Sequence, residues 1–218
     1  MKKLNLILLL LTFGSFSIEA QNAIEDFIPE GYVLYDTVFG DLNKDNKEDC
    51  ILIIKGTNKD NFETNRFDEI VDRNRKGIII LFKTANGYQK VTENLECFSS
   101  ENEDGGVYYA PELSFEVIRG NLVIHYAHGR YGWWKYTFRF QDSQFKLIGY
   151  DETNGGVVIR SETSINFLTK KKLTRENINE ESEGNDEVFK ETWSKIVINK
   201  LLNLSEIKDF DSLEMYKY

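Results

Sequence analysis

Almost every apolar segment of this chain is short, rich in β-branched or aromatic residues, and closed off by turn-forming residues. Runs of that kind suit a pleated, half-buried strand and are too short for helices that could build a core. Residues 32–39, 50–55, 77–83 and 88–92 read as the first strands. The Asn86-Gly87 pair accepts positive φ and predicts a two-residue hairpin between the third and fourth. A second hairpin is expected from 113–119 and 122–128 around Gly120-Asn121, and a third from 133–141 and 144–150 around Asp142-Ser143. Weaker strand signals follow at 157–160, 164–168 and 193–199.

Pro29 and Pro111 both fall outside these runs, as a sheet requires, because proline cannot donate to a ladder. Hairpin after hairpin predicts an all-β fold: an antiparallel meander built as a sandwich, an open barrel or blade-like sheets, with little helix. Polar insertions interrupt it near 56–76, where 67–73 could make a helical turn or two, and near 170–187, which reads as a loop. No internal repeat is visible, so residues 21–218 are expected to form one domain.

Residues 1–20 have the pattern of a signal peptide. Lys2 and Lys3 precede the apolar run 4–13, and Ala20 offers a cut before Gln21. That run is too short to span a bilayer as a folded helix, and no later segment comes near the required length. The expectation is an exported protein, periplasmic or secreted, with no transmembrane segment in the mature chain. The full chain carries a formal charge of −9; trimming Lys2, Lys3 and Glu19 removes a net +1 and leaves −10. So acidic a surface gains nothing from counterion release on nucleic acid and is repelled by anionic membranes. Cys50 and Cys97 could form a disulfide in an oxidising compartment or remain as two buried thiols.

The stretch from Asp41 to Asp49 carries the most specific chemistry. Asp41, Asn43 and Asp45 offer side-chain oxygens at alternating positions, Lys47 offers its backbone carbonyl with its ammonium in water, and Asp49 closes the set. Oxygen donors so spaced suit a calcium ion. Asn46 stands where the chain must turn sharply, and asparagine tolerates the left-handed region. An EF-hand is excluded, because Leu52 occupies the position of its bidentate glutamate and 51–54 starts a strand.

The run Phe39-Gly40-Asp41-Leu42-Asn43-Lys44-Asp45, with Asp49, resembles the calcium loop of FG-GAP and VCBS repeats, although the tandem copies of a propeller are lacking. The chain also resembles small exported bacterial proteins of unassigned function. That resemblance rests on the single Gly-Asp-Leu-Asn loop, Phe138-Arg139-Phe140, Leu147-Ile148-Gly149-Tyr150-Asp151 and 164–169. The resemblance implies one structural calcium ion and no defined activity.

Other candidates are weaker. His125 and His128 lie three apart in a strand and so point to opposite faces, which disfavours a shared metal. Aromatic residues concentrate between Tyr126 and Trp134. Arg130, Tyr131 and Trp133 flank Gly129 and Gly132 at a hairpin end and are the candidate ligand-binding residues. Phe138 and Phe140 read as core. Glu101, Glu103 and Asp104 could serve as an acid pair only beside a cleft. No catalytic motif is present. The expected function is a non-catalytic domain that binds a protein or glycan partner. The alternatives are an exported hydrolase or enzyme accessory protein acting on envelope carbohydrate or peptide, and a structural envelope component.

Overall fold

The computed structural model describes residues 23–103 and 110–218. The proposed signal peptide and Asp104 fall outside them. The strands are β1 (Tyr32–Gly40), β2 (Asp49–Gly56), β3 (Phe62–Thr64), β4 (Ile70–Asp72), β5 (Lys76–Thr84), β6 (Gly87–Phe98) and β7 (Glu112–Ile118). They continue with β8 (Asn121–Ala127), β9 (Gly132–Gln141), β10 (Gln144–Gly155), β11 (Ile159–Asn166), β12 (Lys171–Asn177) and β13 (Phe189–Lys195). Among the described residues, helix is confined to short 3-10 turns, so the chain is all-β.

Two sheets carry the fold. One has the order β1-β2-β5-β6, with β3 and β4 forming a separate two-stranded ribbon between β2 and β5. The other runs β13-β12-β11-β10-β9-β8-β7, an unbroken antiparallel meander in which spatial order follows chain order. The sheets share one core. Ile51, Ile53, Ile78 and Ile80 of the first sheet join Leu122, Ile124 and Phe138 of the second. C-terminal residues Leu204, Ile207, Phe210 and Met215 complete it. Alternate residues of β2 and β5, including Leu52, Ile54, Ile79 and Leu81, make a second cluster on the opposite face of the first sheet, covered by Ile24, Phe27 and Ile28. Burial on both faces explains why β2 and β5 read as nearly continuous apolar runs rather than alternating ones.

Three hairpins form as expected, with shifts of one residue in two of the turns. Thr84 pairs with Gly87, which leaves Ala85 and Asn86 in the first turn. Ile118 pairs with Asn121, so Arg119 and Gly120 make the second, both at positive φ (54° and 74°). Asp142 and Ser143 make the third at φ of 50° and 60°. Burial sets the register: a one-residue slip would send every inward side chain outward.

Other expectations are corrected. Residues 67–73 form no helical turn. Ile70–Asp72 instead pairs with Phe62–Thr64, and the Asn65 side chain closes the connection by accepting from Phe67 N and Glu69 N. The stretch 170–187 is not simply a loop, because it contains β12, held between β11 and β13. Its strand is masked in sequence by charge. Arg175 lies between Glu162, with which it pairs, and Glu191 at 3.3 Å. The segments 157–160 and 164–168 merge into the single strand β11, and the last strand begins earlier, at Phe189.

Candidate functional site

The Asp41 loop is held by its own side chains. Asp41 Oδ1 accepts from the backbone N–H groups of Lys44 and Asp45 (2.6 and 3.2 Å), and Oδ2 accepts from Asn46 N at 3.0 Å. Asn43 Oδ1 accepts from Asp45 N at 2.9 Å, and Asp45 Oδ1 accepts from Lys47 N at 2.9 Å. Lys44 and Asn46 take the left-handed conformation (φ 64° and 63°) that wraps the chain around Asp41. The left-handed Asn46 matches expectation. The Lys47 ammonium differs: it lies 3.0 Å from Asp45 Oδ2 rather than free in water. That contact lowers the Asp45 carboxyl below its ordinary pKa.

Asp49 is fully buried. Its Oδ2 accepts from Leu42 N at 2.9 Å and its Oδ1 from Lys83 N at 2.9 Å, which ties the loop to the end of β5. Burial pushes its pKa up, against the pull of those two N–H donors. Among the described residues, no three His, Cys, Asp or Glu side chains gather as a metal site would require. An ion here would have to displace the Lys47 ammonium and draw on Asn43 and main-chain oxygens beside Asp41 and Asp45.

Arg130, Tyr131 and Trp133 do not make one site. Arg130 and Tyr131 lie on an exposed 3-10 turn, where Arg130 Nε donates to Tyr131 Oη at 3.1 Å. Trp133 faces the outer side of the seven-stranded sheet, 5.6 Å from His125 and 5.3 Å from the Lys135 ammonium, ring centre to partner. There it walls a shallow groove of about 230 Å³ with Asp151, Glu162, Ser164 and Arg175. Strand alternation turns Trp134 to the other face.

On that inner face a cavity of about 730 Å³ opens where the shared core ends. This lies within the roughly 300–1,000 Å³ usual for ligand clefts. Its wall is aromatic. Tyr126 stacks on Trp134 at 5.2 Å and 9°, Tyr136 meets Tyr150 at 5.3 Å, and Phe210 packs edge-on against Tyr136 at 5.1 Å. Burial pushes the phenol pKa of Tyr126, Tyr136 and Tyr150 upward, so all three remain neutral hydroxyls over the physiological range. Tyr150 Oη donates to Glu152 Oε2 at 3.2 Å, and Tyr136 Oη makes a long 3.5 Å contact with Phe210 O. Tyr126 is only 5% exposed, and its hydroxyl has no hydrogen-bond partner among the described residues.

The polar rim comes largely from the other sheet. Glu101 and Glu103 both line the cavity, so these acids do stand beside a cleft. Glu101 bridges Lys55 (2.8 Å) and Lys76 (3.1 Å), and Glu103 accepts from Ser100 Oγ at 2.9 Å. Burial acts to raise the Glu101 carboxyl, but the two ammonium groups outweigh it and hold it below its ordinary value. Asp211, carried in by the C-terminal segment, accepts from Ser99 Oγ. Sequence reading placed Trp134 in the aromatic concentration but assigned neither it nor Tyr136 to a site. It had no means of finding Asp211 or Phe210, which sit in an unpatterned tail.

No family model matches this chain, and neither a curated protein nor a solved structure matches it.

Proposed function

We propose that this chain is an exported, non-catalytic β domain that binds a glycan in the inner cavity, with one structural calcium ion in the Asp41 loop. The observation that carries the binding role is the cavity walled by Tyr126, Trp134, Tyr136 and Tyr150. Flat aromatic faces suit the apolar face of a sugar ring, and the serines and carboxylates that line the same cavity can exchange hydrogen bonds with sugar hydroxyls. What supports a non-catalytic role is the state of Glu101. Its depressed pKa is the wrong direction for a general acid, which needs a raised one. Calcium is supported by the oxygen spacing at 41, 43 and 45 and by the two left-handed residues that curl the loop.

Isothermal titration of the mature protein with neutral and charged oligosaccharides tests the binding role. Trp134→Ala should weaken binding several-fold, and no binding by any oligosaccharide overturns it. For the ion, a site in the millimolar range should raise Tm by roughly 3–6 °C in 10 mM calcium. Asp41→Ala should abolish that response. An unchanged Tm in the wild type removes calcium from the reading.

Hydrolysis is the second reading, favoured by the several carboxylates that line the same cavity. Release of reducing ends from a bound oligosaccharide would establish it in place of the first.

A further inference from the structure

The charges around the inner cavity are unbalanced. Among the described lining residues, Glu101, Glu103, Glu112, Glu152 and Asp211 are carboxylates, whereas Lys76 is the one ammonium. Lys76 is already committed, with its Nζ 3.1 Å from Glu101 and 4.4 Å from the Tyr35 ring centre. Lys55 neutralises Glu101 from the far side and pairs with Asp72 at 2.9 Å. Among the described residues, Glu103, Glu152 and Asp211 are held by neutral donors: Ser100, Tyr150 with Asn154, and Ser99 respectively. Neutral hydroxyls and amides do not cancel the charge of a carboxylate, so these groups set a negative potential over the aromatic wall. A cation is attracted both by such carboxylates and by the faces of Trp and Tyr rings.

Resting on the glycan reading above, we propose that the ligand is an amino sugar whose amine is free rather than acetylated. Its ring lies against the Tyr126–Trp134 wall, and its ammonium faces the carboxylate rim to which Glu103, Glu152 and Asp211 contribute. N-acetylation removes the positive charge and adds bulk without giving the carboxylates a partner. A neutral sugar keeps the stacking and loses the ionic attraction.

Calorimetric titration of the mature protein with three β-1,4-linked tetramers tests this: glucosamine, N-acetylglucosamine and glucose, with spermine as a sugar-free amine. At pH 6 the glucosamine tetramer should bind at least tenfold more tightly than either other tetramer. That advantage should shrink several-fold between 50 and 500 mM salt, as expected for ion pairs near a surface. Glu152→Gln and Asp211→Asn should each cost the glucosamine tetramer roughly tenfold and leave N-acetylglucosamine binding unchanged. Equal binding of free and acetylated tetramers, independent of salt, overturns the amine assignment and leaves the glycan reading intact. Spermine binding with no tetramer binding overturns the sugar, and with it the glycan reading. If either substitution unfolds the chain, the salt dependence and ligand ranking of the wild type still decide the question.

Discussion

At the scale of single residues, one side chain can serve a role different from the one its spacing suggests. Asp49 falls at the ninth position of the loop, where a calcium ligand would stand, yet both its oxygens accept buried backbone N–H groups. Asp49→Ala would orphan the N–H groups of Leu42 and Lys83, and should destabilise the fold by on the order of 3 kcal/mol in urea titration. Trp133 and Trp134 make a similar point. They are adjacent and chemically identical, but alternation puts one on an outer groove and the other in the inner cavity. The cysteines are also separated by alternation. Cys50 belongs to the cluster behind the first sheet and Cys97 to the shared core, and both are free thiols. Burial raises the pKa of Cys50 to about 12. A thiol reagent at pH 8 should therefore label neither cysteine until the protein is unfolded, and fast labelling of the native protein would contradict that burial.

At the scale of elements, the ribbon of β3 and β4 is tied to the main sheet by charge and by Asn74. Asn74 Oδ1 accepts from Asn58 N and Asn61 Nδ2, and its own amide donates to Asn58 O and Asp72. Lys55 reaches Asp72 and Glu101 together. Burial opposes ionisation in all three groups, but their pairing prevails: the pKa of Asp72 and Glu101 is lowered and that of Lys55 is raised. The acids contribute stability that is complete above their ordinary values of 3.8 and 4.5 and is lost as pH falls through the depressed ones. The lysine's share is complete below 10.5 and is lost as pH rises through its elevated value. Lys55→Met should flatten the fall in urea midpoint between about pH 5 and pH 3. An equally steep fall in the variant would show that other carboxylates control acid unfolding. β12 belongs at this scale as well. Its charged alternation was legible only as polarity, because a strand whose outer face carries cross-strand ion pairs lacks the apolar period that marks a strand.

At the scale of the whole molecule, the C-terminal segment is the keystone. Leu204, Ile207, Phe210 and Met215 close the shared core, and Phe210 also forms part of the cavity wall. Phe210 stacks on Phe98 at 4.9 Å and meets Tyr136 edge-on. Phe210→Ala should cost about 3–5 kcal/mol in chemical denaturation and also enlarge the cavity, so ligand affinity and stability should fall together. What the sequence determined by itself was local: strands with period-two or continuous apolar runs, the hairpins that join them, the loop around Asp41, and hence an antiparallel all-β chain. These follow from propensity, pleat and turn chemistry within about a dozen residues. The cavity was decided only by the tertiary structure. Its walls come from β8, β9 and β10 on one side, the 99–103 turn on the other, and a tail more than a hundred residues away from that turn. No period or motif records such a meeting, because it is produced by two sheets burying a common core and leaving space where that core runs out.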